Sequence, residues 1–184
     1  DLAQLTALTT AQTAALSTAN VAALTTDQIS ALTTAQVVAM STAQIKSITV
    51  ADVAKLTTDQ VKALTTGNVS TLTTAQVKGM TSDQVAVLTT AQLQAFSTTQ
   101  VQAIETSDVA AMTSTQIKAL SSTELSGMNT AQVAALTADQ IKSVTTAAVA
   151  GLSTTQVAGL TTGQVAALGT AQVQAMETAD VASL

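Results

Sequence analysis

The 184-residue sequence has no cysteine, histidine, arginine, tryptophan or tyrosine, and Phe96 is its single aromatic residue. The lack of cysteine excludes a disulfide framework and thiolate metal ligands. Without histidine or cysteine the chain holds neither Ser–His nor Cys–His pairs, and zinc chemistry loses its usual ligands. We therefore predict a protein that is not an enzyme, with no cofactor, no small-molecule substrate and no catalytic or metal-binding residues.

Charged residues are scarce as well, at 9% of the chain, and six lysines stand against eleven acidic residues for a net charge of -5. Nucleic-acid binding needs clustered cations that displace phosphate counterions, so we expect no nucleic-acid partner. No apolar run approaches the roughly 18 residues needed to span a bilayer, because Thr, Ser, Gln or Asp interrupts every stretch. Membrane insertion is therefore not expected.

Aliphatic residues are abundant instead, since 47% of the chain is hydrophobic and only 1% is aromatic. A compact core normally draws much of its buried area from large rings. Many small and medium aliphatic side chains suit a thin layer better than a globule. The chain begins with Asp1 and shows no signal peptide, so we expect it to be a segment of a longer chain.

The sequence is a tandem array of twenty-three octapeptides, and such periodicity is weighed before any local pattern. Numbering the positions of each octad from one to eight, starting at Asp1 and Thr9, gives the consensus Thr-Thr-Ala-Gln-Val-Ala-Ala-Leu. Position eight is apolar in every octad, and position five is Val, Ile or Leu in all but one, where Thr13 intervenes. No insertion or deletion interrupts the octads, which predicts a single continuous repeat array over residues 1–184.

Two continuous backbones fit this repeat poorly. Positions five, seven and eight do not alternate as a strand requires. In one uninterrupted helix, eight residues overshoot two turns by about 0.8 residue, so the apolar stripe would rotate by roughly 80° per repeat. Ser or Thr at position one with Gln three residues later is instead the capping box of a helix N-terminus. It occurs in pairs such as Thr9/Gln12, Thr25/Gln28, Thr33/Gln36 and Thr73/Gln76.

Each octad is therefore predicted to begin its own helix at position two. Position one is Ser or Thr in 18 of the 23 octads, and Asp1 and Asn129 are chemically equivalent caps. Only three octads depart from this pattern: Glu105, Gly169 and Glu177. A helix of under two turns is marginal alone in water. Neighbouring helices must therefore stack, as they do in a solenoid.

A second period of sixteen residues is superimposed on the first. Position eight is mostly Leu in the set of octads that contains Leu8 and Leu24, but it varies more in the alternate set, which contains Phe96 and Met112. We therefore predict an all-α solenoid of short capped helices, with one helix per octad and two helices per 16-residue coil, in two layers. At helix spacings of 8 to 10 Å such coils form a rod on the order of 100 Å long.

The stretch Leu32-Thr33-Thr34-Ala35-Gln36-Val37-Val38-Ala39-Met40 resembles the Leu-Thr-Thr-x-Gln-Val-x-Ala octapeptide arrays of very large repetitive bacterial proteins. The resemblance covers the whole chain. It implies a secreted or surface-exposed stalk, spacer or fibre component, with no catalytic residue to transfer. The same nine residues are similar to the start of the DNA-binding repeats of TAL effectors, which supports a helix start at position two. The longer period and the base-reading residue pair of that family are absent.

Acidic residues recur at fixed positions of the octad. Asp52, Asp108 and Asp180 replace Gln at position four. In two of these octads a Glu also replaces the capping Thr at position one, which gives the pairs Glu105/Asp108 and Glu177/Asp180. Such oxygen ligands suit a weak Ca²⁺ site. The favoured interpretation is that both acids stabilise the positive end of a helix dipole, because two carboxylates are too few for a Ca²⁺ cage. The same dipole accounts for the acids at position three, which are Asp27, Asp59, Asp83 and Asp139.

Lysine and threonine recur in register too. Lysines at position six form either a docking line for an acidic partner or, as we favour, a solvent-facing position that keeps the array soluble. They are Lys46, Lys62, Lys78, Lys118 and Lys142. The regular threonines raise the alternative of an ice-binding face, but most of them are expected to be cap acceptors.

These patterns predict a structural spacer, stalk or filament element of a large bacterial protein that is extracellular or at the cell surface. The alternative is a solenoid module that recognises a protein or glycan through one face. Binding faces usually carry aromatic or Arg anchors, and this sequence has almost none. Because no polar capping repeat closes either terminus, self-association is expected, end to end or side by side.

Overall fold

The computed structural model describes residues 1–184 and contains helices and turns without any strand. Each octad contributes one helix of four to six residues. The helices are α1 (Leu2–Thr6), α2 (Thr10–Ala14), α3 (Thr18–Ala22), α4 (Thr26–Ala31), α5 (Thr34–Ala39), α6 (Thr42–Ser47), α7 (Val50–Val53), α8 (Thr58–Ala63), α9 (Thr66–Ser70), α10 (Thr74–Lys78), α11 (Ser82–Ala86), α12 (Thr90–Gln94), α13 (Thr98–Ala103), α14 (Thr106–Ala111), α15 (Ser114–Ala119), α16 (Ser122–Gly127), α17 (Thr130–Ala134), α18 (Ala138–Ser143), α19 (Thr146–Ala150), α20 (Thr154–Ala158), α21 (Thr162–Ala167), α22 (Thr170–Ala175) and α23 (Thr178–Val181).

Every helix begins at position two, as the capping residues predict. The Thr33 hydroxyl accepts from the backbone amide of Gln36 at 3.2 Å, and the Gln36 side-chain oxygen accepts from the Thr33 amide at 2.8 Å. Asp1 and Asn129 also accept cap bonds through their side chains. The three predicted exceptions are confirmed, because no side-chain cap bond forms at Glu105, Gly169 or Glu177.

Where a helix extends to position seven, as α5 does, two extended residues join it to the next helix. Met40, at position eight, has φ -67° and ψ 135°, and Ser41, at position one, has φ -68° and ψ 159°. The Met40 amide still donates to the Val37 carbonyl at 3.2 Å, which closes the last helical turn before the corner. No residue has positive φ and no peptide bond is cis. The corners therefore need no left-handed glycine, and all octads keep the same length.

The predicted all-α solenoid is confirmed, but the coil of two helices and sixteen residues is wrong. Each helix packs against the helix three octads further along the chain, and no other pair makes contact of similar extent. Alternate helices would be the stacked pairs in a 16-residue coil. The packing instead arranges the helices in three slanted rows, each containing every third helix.

One coil of the solenoid contains between three and four octads. The side-chain amide of Gln92 reaches back 28 and 31 residues to the carbonyls of Leu64 and Val61. Gly79 faces Val50, 29 residues earlier. The 184 residues thus make about six coils, which at 8 to 10 Å per coil are about 50 to 60 Å long. The expected rod of about 100 Å is therefore too long and too narrow.

The core is a single continuous column of aliphatic side chains from positions five and eight. Leu93 and Phe96, from one octad, are both buried in it, and so are Val101 and Ile104 from the next. The predicted difference between alternate octads is therefore not found. Each row contains every third helix, and three is odd, so octads of both sets alternate along every row and neither set has an environment of its own.

Candidate functional site: a ladder of buried glutamines

Position four holds the most regular polar feature of the structure. From the fifth octad onward every Gln at this position is buried. We call these thirteen side chains the glutamine ladder; they are Gln36, Gln44, Gln60, Gln76, Gln84, Gln92, Gln100, Gln116, Gln132, Gln140, Gln156, Gln164 and Gln172. Glutamine is mostly an exposed residue in proteins, so its burial thirteen times needs a specific set of partners.

Each ladder glutamine bonds to its own helix and to the preceding coil. Gln92 Oε1 accepts from the Thr89 backbone amide at 2.8 Å, which completes the capping box. Gln92 Nε2 donates to the carbonyl oxygens of Val61 at 2.9 Å and Leu64 at 2.7 Å, four octads earlier. The pattern is invariant along the ladder, from Gln36 with Leu5 and Leu8 carbonyls through the last rung. That rung is Gln172, whose amide donates to the carbonyls of Ile141 and Val144.

This geometry satisfies helix-start amides and position-eight carbonyls, and it adds a second bond to position-five carbonyls that already accept from the position-eight amide of their own octad. The first amides and last carbonyls of an α-helix have no partner within it. One carboxamide supplies an acceptor to the start of its own helix and two donors to the end of a helix in the coil below. Buried polar groups left without such partners cost about 1 to 3 kcal/mol each. The ladder therefore joins successive coils along the solenoid axis while capping the thirteen helices that carry it.

Sequence reasoning identified only the capping half of this role. A capping box accepts Glu as readily as Gln at its fourth residue, yet Gln occupies position four in sixteen octads and Glu only in one, at Glu124. That preference was the available signal. A carboxylate reproduces the capping oxygen but has no amide hydrogen for the carbonyls of the preceding coil, so the choice of Gln indicates a second partner.

Several octads break the ladder. Asn68, one methylene shorter than Gln, still donates to the Met40 carbonyl at 3.3 Å. Other octads place a side chain without an amide at position four, namely Asp52, Asp108, Glu124, Ala148 and Asp180. By register their missing amide partners are the position-five and position-eight carbonyls four octads earlier. We call these five positions open rungs, because none of the five side chains has an amide to donate to the preceding coil.

Asp108 is the break with an orphaned atom. Its side chain is 3% exposed, and its Oδ1 accepts from the Ser82 hydroxyl at 2.6 Å. Its Oδ2 is buried without any hydrogen-bond partner. The ladder glutamines of the two neighbouring octads donate to carbonyls, whereas Asp108 has no amide hydrogen to donate to the carbonyls of Val77 and Met80, its partners by register. Asp108 is therefore a local weak point between two coils.

The two acidic pairs differ in their contacts: the Asp180 carboxylate accepts from the Glu177 backbone amide at 3.3 Å, but Glu105 and Asp108 have separate partners. Glu105 lies 3.4 Å from Lys78 Nζ in an exposed ion pair, whereas Asp108 contacts Ser82. No group of three or more acidic side chains gathers at either pair. The position-three acids, such as Asp27 and Asp139, are exposed in the first turn of their helices. That placement agrees with the favoured dipole interpretation of the acidic residues.

The position-six lysines are all exposed but do not form one line. Helices α6, α15 and α18, which carry Lys46, Lys118 and Lys142, belong to one row, whereas α8 and α10 belong to the two others. A single docking line of lysines is thus not formed.

Position-one hydroxyls accept from helix amides, as the cap-acceptor interpretation requires. With four to six residues each, all of the helices are too short to span a bilayer.

Position seven is small because it packs on the coil below. A Cβ added to Gly79 would lie 2.3 Å from Cγ1 of Val50, and one added to Gly159 would lie 2.3 Å from Cγ2 of Thr130. Both contacts join position seven to position two of the octad three earlier. Small side chains at position seven, which the sequence places mostly as Ala, Ser or Gly, therefore set the distance between coils.

Comparison with known proteins agrees with this repeat architecture. No curated protein matches the sequence. A family model described as the ALTTAQ repeat matches it in eight overlapping segments, at residues 1–34, 30–66, 53–90, 66–98, 85–122, 101–138, 109–146 and 137–170. These matches tile most of the array, including all but one rung of the glutamine ladder. The octad solenoid described above, with its capped helices and amide-linked coils, belongs to the ALTTAQ repeat family.

Proposed function

We propose that this repeat array is a structural spacer, stalk or filament element of a large bacterial protein that is extracellular or at the cell surface. The glutamine ladder is the observation that carries the proposal. Its amide bonds run from one coil to the next at distances between 2.6 and 2.9 Å for the position-eight carbonyls. Bonds in that direction resist separation of the coils along the axis.

The architecture distributes mechanical load over many similar contacts between adjacent coils. Each helix contacts helices of the adjacent coils, so stability is a sum of local terms in the manner of repeat proteins. The length of the array can then change by whole octads without a change in the contacts between the remaining coils. This modularity is what a spacer requires, and an active site does not benefit from it.

The outer surface supports a spacer over a binding module. The exposed large apolar residues are few, and on the side wall they are Val38 and Val50. The remaining outward positions carry mostly Thr, Ser, Ala and single charges. A recognition face usually presents aromatic or Arg anchors, and Phe96 is buried. We accordingly propose that the array is not an enzyme and binds no small-molecule substrate.

The proposed location follows from composition. The chain has six lysines and no arginine, so it offers few cleavage sites to trypsin-like proteases outside a cell. Its octads need neither a disulfide nor a metal to form their capped corners. Antibody labelling of intact bacteria that produce the parent protein tests this location; labelling that requires permeabilised cells contradicts it.

Deleting whole coils tests the spacer function. Removing residues 65–96 takes out four octads while the register of positions one to eight is preserved. The distance between dyes near residues 1 and 184, measured by single-molecule energy transfer, should fall in proportion to the octads removed. Substitutions that exchange Ala and Ser at exposed position three serve as the control and should leave it unchanged. An unaltered distance after deletion contradicts a rod-like spacer.

A further inference from the structure

The open rung at Asp108 places negative charge where the glutamine ladder supplies amide hydrogens. In the next octad the Gln116 amide donates to two carbonyls at 2.8 Å each. Asp108 has no amide hydrogen for the corresponding carbonyls, which by register are those of Val77 and Met80. These carbonyls lie at and just beyond the end of helix α10, where the helix dipole is negative. A carboxylate at this rung therefore adds a negative charge to a site that already favours a positive one.

Two oxygen atoms at this rung have no hydrogen-bond donor. Asp108 Oδ2 is one of them and is buried, although Oδ1 of the same carboxylate accepts from the Ser82 hydroxyl at 2.6 Å. The Met80 carbonyl oxygen is the other, because Met80 is a buried residue and no group donates to its carbonyl. A buried polar group without a partner in a native protein calls for an explanation, and a bound ion is one. Both oxygens need a positive group.

The Asp108 side chain is long enough to share a ligand with the Met80 carbonyl. Asn68, at the same position of its octad and of the same length, reaches the Met40 carbonyl at 3.3 Å across 28 residues of sequence. Asp108 and Met80 are also 28 residues apart. A carboxylate oxygen and a carbonyl oxygen are both acceptors, so they cannot bond to each other. They can share only a cation, a proton or a neutral donor.

No cationic side chain neutralises Asp108. Lys78, from the octad that carries both carbonyls, instead forms an exposed ion pair with Glu105 at 3.4 Å, and no ion pair includes Asp108. The neighbours of the site in sequence, Glu105 in the same octad and Asp83 beside Ser82, are acidic as well. A buried charge without a counter-ion is strongly destabilising. The surroundings therefore favour binding of a cation from solution.

We propose that Asp108 and the carbonyls of Val77 and Met80 bind a monovalent metal cation, Na⁺ or K⁺, between two coils. The ion takes the place of the amide hydrogens of a ladder glutamine, and one carboxylate balances its single charge. Backbone carbonyls, including those at helix ends, bind such ions in channels and transporters. The prediction that no residue of the chain binds a metal then fails at this one rung. A spacer requires no ion, so the inference stands apart from the function proposed above.

The first experiment replaces choline chloride stepwise by NaCl or KCl at constant ionic strength and follows urea unfolding of the 184-residue chain. Choline is too large for a buried rung, and constant ionic strength keeps the screening of surface charges unchanged. In the salt of the preferred ion the equilibrium constant for unfolding should fall along a saturating curve, by about elevenfold at ten times the Kd. Equal stability in all three salts would overturn the proposal.

Variants assign the effect to this rung. Asp108→Gln supplies an amide and should abolish the dependence on Na⁺ or K⁺. Two controls should keep it: Asp52→Gln, at an open rung whose carboxylate already accepts from the Thr49 hydroxyl, and Asp59→Gln, which removes an exposed charge. Broadening of the ²³Na NMR signal by the folded chain, which K⁺ reverses by competition and Asp108→Gln lacks, reports the bound ion directly. A dependence retained in Asp108→Gln, or a response to Ca²⁺ or acid alone, would contradict the assignment.

Discussion

The side-chain amide of Gln140 donates to the carbonyl oxygen of Met112 at 2.6 Å, across 28 residues of sequence. The same carboxamide accepts from the Thr137 amide at 2.7 Å. One side chain thus ties the start of its own helix to the coil beneath it. This arrangement repeats in every ladder octad. Its contribution to the free energy of unfolding can therefore be measured by comparing octads whose Gln makes both the capping and the inter-coil bonds with octads whose Gln makes the capping bond alone.

Removing a ladder amide should cost more than removing a capping amide alone. Gln92→Ala deletes the bonds to Thr89, Val61 and Leu64, whereas Gln12→Ala deletes only the cap bonds to Thr9. We expect the free energy of unfolding to fall by about 3 kcal/mol for Gln92→Ala and by about 1 kcal/mol for Gln12→Ala. Urea denaturation measures both, and equal losses would contradict the inter-coil role of Gln92.

Restoring an open rung should stabilise the solenoid. Asp108→Gln removes the buried Oδ2 that has no partner and supplies an amide in the register of the Val77 and Met80 carbonyls. The expected gain in the free energy of unfolding is about 1 to 3 kcal/mol. Asp59→Gln is the control, because it removes the same charge from an exposed side chain that forms no ion pair and should change stability little. A gain of equal size in both variants would assign the effect to net charge.

The spacing of the coils depends on Gly79. Its replacement by Ala brings a methyl to 2.3 Å from Val50 Cγ1, and the overpacking should lower the free energy of unfolding by about 1 to 2 kcal/mol. Adding Val50→Ala should recover most of that loss. Gly67→Ala meets no atom of another coil and should instead gain up to about 1 kcal/mol from reduced unfolded-state entropy. Thermal denaturation of these three variants measures the differences, and a gain in stability for both single Gly→Ala variants would refute close packing at Gly79.

Glu105 offers a test of local capping. It makes no side-chain cap bond, and its ion pair with Lys78 is exposed at both partners. Glu105→Thr should therefore stabilise the chain by about 1 kcal/mol through a new cap bond. Glu105→Ala removes the ion pair without adding a cap and should shift stability by less than about 1 kcal/mol. The melting temperatures of both variants check this, and no gain for Thr over Ala would contradict it.

The helix starts and the core were predictable because they rest on neighbours in the sequence. A capping box such as Thr33 with Gln36 spans three residues, and it fixes where α5 begins whatever the helix packs against. Positions five and eight are three residues apart on one helical face, so Val37 and Met40 were assigned to the core and are buried there. Even the exceptions, Gly169 among them, followed from the chemistry of position one.

The candidate site was only half predictable, since Gln36 was assigned its capping partner but not the Leu5 and Leu8 carbonyls. Their distance in sequence depends on how many octads one coil contains. The variation of position eight between alternate octads suggested two, but both Leu93 and Val101, from neighbouring octads, are equally buried. A period in residue identity at one position does not determine which helices stack.

The sequence by itself determined the unit: an eight-residue octad whose helix is capped at position one and has an apolar face at positions five and eight. Only the tertiary structure decided how the units wind, because the angle at each corner depends on contacts between coils. Gly79 packs on Val50 29 residues earlier, while Gln76 reaches 28 and 31 residues back. Those two contacts are satisfied together only when a coil holds between three and four octads.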